Sequence, residues 1–430
     1  MRLGGRIQAA IEVLETIENH HQPASIALAD WGRSHRFAGS ADRAAIGNLV
    51  YDVLRNRSSI AWRMGNETAR ALALGTVKYI WDESLEDLKQ LFAEDKFAPD
   101  QLSEVEEQAL QQDDLSDAPG WIKANIPEWL EEAFQANFDE AYIEEGLALS
   151  TRPPTDLRIN TLKANAAKVT KVLARFKPQQ APLTQNGVRL PASEKQARGA
   201  NVLPEAAYQK GWFEVQDAGS QIVSELVFPQ KGEQILDFCA GGGGKTLALS
   251  ALMENTGQIH AYDANRERLA PIYDRLKRSG ARNVQVYAPQ ESTLETLTGK
   301  MDRVVVDAPC SGSGVWRRRP DAKWRLSEKA LSERQQEQAD ILRAAAQFVK
   351  PGGYLCYITC SLLVEENENQ VYAFLEQTDT FELLSASEVW QDLYGDAALQ
   401  PWSSDECSIT LTPATTQTDG FFFAVMGRTS

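Results

Sequence analysis

The chain has 430 residues, of which 43% are hydrophobic and 24% charged, and its formal net charge is −16. These values are typical of a globular protein of two or three domains and exclude a disordered or fibrous chain. Apolar runs fall short of the about 20 residues of a membrane helix, so we expect a cytoplasmic protein with no membrane partner. Five unevenly spaced cysteines favour reduced thiols over a disulfide framework.

The charge is unevenly distributed along the chain. Residues 82–117 contain thirteen acidic residues and two lysines, and the rest of the chain is nearly neutral. By contrast, "WRRRPDAKWRLSEK" (316–329) places six basic residues around two tryptophans. Such a segment could contact phosphates and stack on bases. A solvated helix start with two core-facing tryptophans fits the composition equally well.

The first half of the chain predicts two domains. Apolar residues at helical spacing up to about residue 75, and again in "IPEWLEEAFQANF", indicate a helical domain over residues 1–147 that includes the acidic segment. The stretch "PPTDLRINTLKANAAKVTKVLARFK" is typical of a strand followed by a helix, and "GVRLP" of another strand. These elements predict a small α+β module over residues 148–215.

Strands and helices alternate from residue 216 to the C-terminus. This pattern predicts an α/β domain over residues 216–430, with a mainly parallel sheet and helices on both faces. Ligands of such a sheet bind beyond the carboxyl ends of the strands, at the point where the strand order reverses. The motifs that follow lie at predicted strand ends.

The first motif, "ILDFCAGGGGKT" (235–246), runs from a strand through four glycines into a helix. Glycines allow a tight turn close to a ligand, and the helix N-terminus offers free N–H groups to an anionic or carboxylate group. The candidate binding residues are Cys239, Ala240, Gly241, Gly242, Gly243, Gly244 and Lys245. A P-loop would need glycine at position 239, but a P-loop ATPase remains the alternative.

The next strand ends in "AYDAN", which contains Asp263. An acidic residue at this distance from a glycine loop is placed to bind the ribose hydroxyls of a nucleotide-like ligand. Asp263 could equally cap the following helix. We therefore expect it to be a cofactor-binding residue, chiefly because the glycine loop precedes it.

Two further strand ends each carry a cysteine. "VVVDAPCSGSG" delivers Cys310 and "YLCYITCSLLVEENENQ" delivers Cys360 to the carboxyl edge of the sheet. Small and polar neighbours indicate loops for these two, whereas Cys239, Cys356 and Cys407 are more typical of core positions. Cys356 and Cys360 stand well apart along one strand without a nearby histidine, so we expect no metal site.

These motifs resemble the RsmB/Nop2/Sun family of S-adenosylmethionine-dependent RNA cytosine-C5 methyltransferases. The resemblance rests on "DAPCSGSG", "ITCS", the glycine loop and "DGFFFAVMGR", and extends to "RPPTDLRINTLK" and "QDAGSQ" over roughly residues 150–430. Residues 1–75 more loosely resemble a NusB-like helical domain. The family implies a Rossmann-like class I methyltransferase fold, S-adenosyl-L-methionine as cofactor, and structured RNA as substrate. Ribosomal RNA is favoured over transfer RNA, and we expect a monomer.

The resemblance also assigns roles to residues. Cys360 would be the nucleophile that adds to carbon 6 of cytosine, which activates carbon 5 toward a sulfonium methyl donor. Cys310 would help to release the product. Asp307 would bind the cytosine edge near the cofactor, and Lys245 would lie beside Asp307 and the cofactor. A thiolate needs electropositive surroundings, for which Lys245 is a candidate.

The chain departs from the family at two places. The family usually has Cys-Ala-Ala-Pro-Gly-Gly-Lys-Thr in the first loop, whereas "CAGGGGKT" lacks the proline and should be more mobile before ligand binding. The acidic residue that usually lies near the adenine is absent, and Gln290 is the nearest polar substitute. For RNA contact the candidates are Arg317, Arg318, Arg319 and Trp324. A non-catalytic RNA-binding assembly factor is the second alternative.

Overall fold

The computed structural model describes residues 1–112, 114–289 and 292–429. The chain divides into two compact units. The first consists of Met1–Pro153, Ala192–Gly199 and Val315–Leu326, and the second of Pro154–Pro191, Ala200–Gly314 and Ser327–Ser430. The α+β segment and the α/β segment therefore fall in one unit, while two later segments join the N-terminal helices.

The first unit is helical. Its α-helices are α1 Leu3–His20, α2 Ala24–Ser34, α3 Ser40–Arg55, α4 Arg57–Met64, α5 Ala69–Tyr79, α6 Leu85–Glu94, α7 Glu104–Ala109, α8 Gly120–Lys123, α9 Glu131–Phe138, α10 Tyr142–Leu149 and, in chain order, α17 Pro320–Arg325. Short 3-10 helices span Glu128–Leu130 and Asp139–Ala141. Helices α1, α3 and α5 bury their apolar faces in one core around Ile7, Leu49 and Leu74.

The second unit begins with a small antiparallel sheet in the order β2-β3-β1-β4. The strands are β1 Thr155–Ile159, β2 Gln179–Gln180, β3 Gly187–Leu190 and β4 Phe213–Val215, accompanied by α11 Ala166–Val172, the 3-10 helix Ala174–Phe176 and α12 Ala206–Gln209. Leu157, Val188 and Phe213 form the centre of its core. The predicted strand-helix-strand pattern is present here.

An eight-stranded sheet forms the rest of the second unit, with the order β10-β12-β9-β8-β5-β6-β7 and β11 paired to β12. The strands are β5 Gln234–Asp237, β6 Gln258–Tyr262, β7 Val284–Tyr287, β8 Met301–Asp307, β9 Val349–Thr359, β10 Phe381–Leu384, β11 Ser408–Leu411 and β12 Phe421–Arg428. The helices are α13 Ala218–Leu226, α14 Gly244–Leu252, α15 Arg266–Leu269, α16 Ile272–Ser279, α18 Glu328–Ala346, α19 Glu368–Glu376 and α20 Ala386–Tyr394, with 3-10 helices at Ser292–Leu297, Ser313–Val315 and Val364–Glu366.

Strands β5 to β9 run parallel, and β10 to β12 are antiparallel, which confirms the predicted mainly parallel α/β fold. Apolar cores cover both faces of this sheet. Val304 and Val306 face one core, whereas Val305 faces the other. This arrangement explains the uninterrupted apolar run of β8, since a strand buried on both faces has no solvent side. The strand order reverses at β5, which pairs with both β6 and β8.

Candidate active site

The two predicted cysteines meet at the carboxyl edge of the large sheet. Strands β8 and β9 are parallel neighbours, with Asp307 opposite Ile358. The loops that follow these strands therefore start side by side, and each carries its cysteine three residues or fewer beyond this pair. The sulfur atoms of Cys310 and Cys360 are 3.4 Å apart, and both residues are partly buried.

A buried carboxylate holds these two loops together. Glu366 is fully buried in the 3-10 helix after β9. Its carboxylate accepts hydrogen bonds from the backbone N–H and the hydroxyl of Ser311, at 2.7 and 2.5 Å, and from the hydroxyl of Ser361 at 2.5 Å. Gln338 donates both to Glu366 and to the carbonyl of Pro309. Because Ser311 and Ser361 each follow a cysteine, Glu366 fixes both sulfur positions at once.

The same surroundings determine the protonation of Cys310. Its hydrogen bond to Cys360, its burial and the negative charge of Glu366 raise the pKa of the Cys310 thiol well above its usual range. A thiol that keeps its proton donates, so Cys310 is suited to be the donor and Cys360 the acceptor in their contact. The geometry thus allows the Cys310 thiol to donate to the Cys360 sulfur.

Lys245 and Asp307 form an ion pair beside the cysteines. Lys245 is the second residue of α14, and its Nζ lies 2.6 Å from Oδ2 of Asp307 at the end of β8. The Lys245 side chain is only 8% exposed, whereas that of Asp307 is 34% exposed. The ammonium also lies 5.2 Å from the ring centroid of Phe421. The carboxylate is therefore held from the protein side and remains open to a ligand.

The glycine loop connects β5 to α14 as predicted. Gly241 and Gly243 have φ of +49° and +80°, a region that glycine enters without strain. A Cβ atom at Gly243 would lie 2.5 Å from Cγ1 of Ile272, so no larger residue fits there. The Gly243 N–H donates to the carbonyl of Ala240 at 2.8 Å. The turn directs the start of α14, with its free N–H groups, toward the carboxyl edge.

Asp263 lies directly after β6 and beside the glycine loop. Its carboxylate accepts from the N–H groups of Gly241, at 2.9 Å, and Asn265, at 2.8 Å. It is thus buried and oriented, and it lines a cavity of about 1150 Å³ together with Cys239, Tyr262 and Pro309. Burial and the charge of Asp263 raise the pKa of Cys239, which keeps that thiol neutral. The alternative role of Asp263 as helix cap falls instead to Asn265.

The glycine loop, Asp263 and the cavity together fit a nucleoside with a charged amino acid group. The cavity exceeds the usual size of a cofactor site. Its lining combines aromatic walls at Phe238 and Tyr262 with a carboxylate for hydroxyl groups. Gln290, predicted to lie near the adenine, is outside the described residues.

Sequence reasoning missed two buried carboxyl groups. Glu366 was present in the motif "LLVEENENQ", where an acidic residue near a predicted catalytic cysteine is a signal in itself. Asp237, the last residue of β5, is fully buried and accepts a 2.6 Å hydrogen bond from the hydroxyl of Thr246. Burial raises the pKa of Asp237 to about 7. An acidic residue that ends an apolar strand was the available signal.

The four residues predicted to bind RNA lie in the first unit. Arg319 is exposed, Arg318 and Trp324 are partly buried, and Arg317 is only 4% exposed. Trp324 donates from Nε1 to the carbonyl of Leu54 at 2.7 Å. The neighbouring Trp316 is fully buried, as the core-facing interpretation required. The RNA role of the four residues stays a prediction, and Arg318 and Arg319 are the better exposed of the arginines.

Two properties of the described residues bear on other classes of site. Within residues 1–112, 114–289 and 292–429, none of the helices combines the length and apolar character that crossing a membrane requires. In the same residues, no group of three or more His, Cys, Asp and Glu side chains could hold a metal ion.

Comparison with known proteins gives consistent similarities. The model of the 16S rRNA methyltransferase RsmB/F family matches residues 225–427. Ribosomal RNA small subunit methyltransferase B of Klebsiella pneumoniae is 35% identical over 302 residues, which is 69% of this chain and 65% of that protein. The match therefore spans just under two thirds of the length of that curated relative.

Two solved structures share the fold. The crystal structure of PH0851 superposes with a TM-score of 0.75 at 23% identity and covers 99% of both chains. A methyltransferase homolog protein from Pyrococcus horikoshii has a TM-score of 0.59 at 26% identity, covering 72% of this chain and 97% of its own. Neither the P-loop ATPase nor the non-catalytic assembly factor gains support from these similarities.

Proposed function

We propose that the chain is a member of the 16S rRNA methyltransferase RsmB/F family, whose model matches residues 225–427, and that it methylates carbon 5 of a cytosine in ribosomal RNA. The methyl donor is S-adenosyl-L-methionine, and the reaction passes through a covalent bond between Cys360 and the cytosine. The observation that carries the proposal is the 3.4 Å approach of the Cys310 and Cys360 sulfurs beside the ion pair of Lys245 and Asp307.

The cofactor site is the cavity beside the glycine loop. Residues 239–244 would surround the amino acid part of the cofactor, and the Asp263 carboxylate would accept hydrogen bonds from the ribose hydroxyls. When bound, the cofactor supplies a methyl group on a positively charged sulfur, which a carbon nucleophile can take. Lys245 stands at the start of α14, between this loop and Asp307, and so borders both ligands.

Cys360 begins the reaction. Its thiolate forms a bond to carbon 6 of cytosine, and the electron pair of the carbon 5–carbon 6 double bond moves toward carbon 5 and the ring. Carbon 5 would then use this pair to bond the methyl group that a bound cofactor would supply, and the electrons of the sulfur–methyl bond would stay with the cofactor. Asp307 accepts a hydrogen bond from the cytosine edge, and Lys245 keeps that carboxylate in place.

Cys310 completes the reaction. Its pKa is raised first of all by the hydrogen bond to Cys360. Once the Cys360 sulfur is bonded to carbon, that cause disappears, whereas burial and the charge of Glu366 remain. The next step requires the Cys310 proton to leave to water. The Cys310 thiolate then takes the proton from carbon 5. The sulfur–carbon 6 bond breaks, its electrons return to Cys360, and both cysteines regain their initial states with one proton released overall.

RNA is held outside the sheet by basic and aromatic groups. The exposed side chain of Arg319 and the partly buried Arg318 and Trp324 support phosphate contact and base stacking in this segment. Arg317 belongs to the same predicted contact set, although its side chain lies inside the first unit.

The test is methyl transfer to defined RNA. The purified chain is incubated with tritium-labelled S-adenosylmethionine and with unmodified small-subunit ribosomal RNA, small ribosomal subunits or transfer RNA. We expect label in ribosomal RNA, 5-methylcytidine as the only labelled nucleoside after digestion, and one bisulfite-resistant cytosine. Label at another atom or nucleoside would overturn the cytosine-5 assignment. Binding of the cofactor without transfer to any of the three substrates would overturn the activity.

A further inference from the structure

We infer that Arg275 is a positioning residue that holds the glycine loop in the conformation that binds the cofactor. This inference rests on the proposed function, because it concerns the site proposed for S-adenosylmethionine. Arg275 lies on α16, within the second unit, and its guanidinium contacts the loop backbone directly. Sequence reasoning assigned no role to this residue.

Arg275 connects two parts of the unit. Its Nη1 donates to the carbonyl of Gly242 at 2.7 Å. Its Nε and Nη2 lie 3.2 and 3.1 Å from Oε2 of Glu214, a residue of β4 whose side chain is 4% exposed. The planar guanidinium thus spans from a fixed, buried carboxylate to the loop. Such a forked contact restricts orientation as well as distance.

The loop needs external support because residues 241–244 are all glycine. Glycine has the largest backbone freedom of any residue, and a Gly-Gly peptide can rotate without steric cost. In the folded loop, both sides of the peptide between Gly242 and Gly243 are held. The carbonyl of Gly242 accepts from Arg275, and the N–H of Gly243 donates to Ala240. Loss of the first contact frees one side of this peptide.

Arg275 also lies against the loop along its length. A Cβ atom at Gly242 would be 3.4 Å from Nη1 of Arg275, and one at Gly244 would be 3.9 Å from the guanidinium nitrogens. The guanidinium therefore packs where side chains of the loop would otherwise lie. It stabilises the turn that directs the first N–H groups of α14 toward the ligand.

The chain offers a matched control in Arg278, one helical turn further along α16. Its Nη2 also donates to Glu214, at 2.7 and 2.9 Å, and its guanidinium stacks over Tyr208 at 4.3 Å. Arg278 thus shares the carboxylate and the helix with Arg275, but these contacts involve no residue of the loop. A variant at Arg278 loses comparable ion pairing and leaves the Gly242 contact in place.

The experiment compares Arg275→Met with Arg278→Met and the wild-type chain. Calorimetric titration with S-adenosylmethionine should give a Kd about ten-fold higher for Arg275→Met. The reason is that binding must then order one freed peptide, and the entropic cost of this ordering corresponds to about a ten-fold change in Kd. Arg278→Met should bind within about two-fold of the wild type. At saturating cofactor the kcat of Arg275→Met should match the wild type, so the change appears in KM alone.

Amide hydrogen exchange of the ligand-free proteins gives a second readout. Peptides covering residues 238–247 should exchange faster in Arg275→Met than in Arg278→Met or the wild type. Arg275→Lys, which keeps one donor, should fall between them and serves as the comparison if Arg275→Met does not fold. Equal Kd and equal loop exchange in all variants would overturn the inference alone. A wild-type chain without affinity for S-adenosylmethionine would instead overturn the proposed function.

Discussion

The sulfur of Cys310 lies 3.4 Å from the sulfur of Cys360, although the two residues are fifty positions apart in the chain. The approach follows from sheet geometry, because β8 and β9 are parallel and adjacent, and both cysteines follow strand ends. A single carboxylate, that of Glu366, then fixes the residue after each cysteine. Contacts within the protein are therefore sufficient to hold the pair.

The two cysteines should fail differently when replaced. Cys360→Ala removes the nucleophile, so we expect no measurable methyl transfer, whereas Cys310→Ala should form the bond to cytosine and fail to break it. Denaturing gel electrophoresis with labelled RNA should reveal a covalent protein–RNA band for Cys310→Ala only. Cys407→Ala, a partly buried cysteine elsewhere in the second unit, serves as the control and should resemble the wild type. An adduct in Cys360→Ala would contradict the assignment of roles.

The ion pair of Lys245 and Asp307 should be needed for turnover. Asp307→Asn keeps the shape of the side chain but removes the charge that Lys245 holds, so we expect kcat to fall about 100-fold or more, as for loss of a preorganised electrostatic contact. Single-turnover methyl transfer measures this rate. Lys350→Met breaks the ion pair between Lys350 and Asp302, on the same two strands at their other ends, and should leave the rate unchanged. Equal rates for Asp307→Asn and Lys350→Met would contradict the prediction.

Glu366 should affect chemistry more than cofactor binding. Glu366→Gln places an amide donor against the hydroxyl donors of Ser311 and Ser361. The buried donor that is left without an acceptor destabilises this arrangement by about 1–3 kcal/mol. We expect the two loops, and with them the two sulfur atoms, to move. We expect a lower kcat with an unchanged Kd for S-adenosylmethionine. Glu365→Gln, at the preceding position, is the control. A raised Kd with normal kcat would show that Glu366 supports the cofactor site instead.

Asp237 should make stability depend on pH. Burial raises its pKa to about 7, whereas an aspartate in the unfolded chain titrates near about 3.9. Between these two pH values the folded protein binds more protons than the unfolded chain does. The free energy of unfolding therefore falls as the pH rises from about 4 to about 7, by on the order of 4 kcal/mol at most, and then levels off. Asp237→Asn keeps an acceptor for Thr246 without this titration.

Thermal unfolding from pH 4 to pH 8 measures this effect. As the pH rises toward 7, the melting temperature of Asp237→Asn should increase relative to that of the wild type. Asp392→Asn removes an exposed carboxylate and should not change the slope. A constant difference between Asp237→Asn and the wild type across this range would contradict the assignment of a protonated Asp237.

Arg318 and Arg319 should contribute to RNA affinity through phosphate contacts. Replacing Arg318 and Arg319 together by Gln should weaken binding to all RNA sequences similarly and reduce the slope of log K against log salt by up to about 2. Binding measured at several salt concentrations gives this slope. Lys231→Gln removes an exposed charge outside segment 316–329 and is the control. An unchanged slope for the double variant would exclude both residues from the phosphate contact.

Much of the catalytic fold could be predicted from local patterns. The alternation of strands and helices predicted the parallel sheet, and the rule that ligands meet strand ends led to Asp263, Cys310 and Cys360. The role of Asp307 was implied by the family resemblance. The buried position of Cys356 also followed, since it lies within an apolar strand covered on both faces. These inferences succeed because the spacing of apolar residues and the direction of a strand can be read from a short segment of sequence.

Long-range contacts could not be predicted in the same way. Nothing in the periodicity of residues 315–326 indicates that they join the N-terminal helices, where Lys323 is almost fully buried and donates to the carbonyls of Arg55 and Asn125. Burial of Arg317 has the same origin. The contacts of Arg275 and Glu366 likewise depend on side chains brought together by tertiary packing rather than on neighbours in sequence.

Residues 315–326 belong to the first unit, and this limits where the chain can be truncated. Deleting the N-terminal helices would remove Phe134, on which the Trp316 ring stacks with a centroid distance of 5.8 Å. It would also remove the carbonyl groups that accept hydrogen bonds from the Lys323 ammonium. The orphaned stretch begins five residues after Cys310. The two units are thus interwoven in the covalent chain, and an excised second unit would expose an apolar segment next to the loop that holds Cys310.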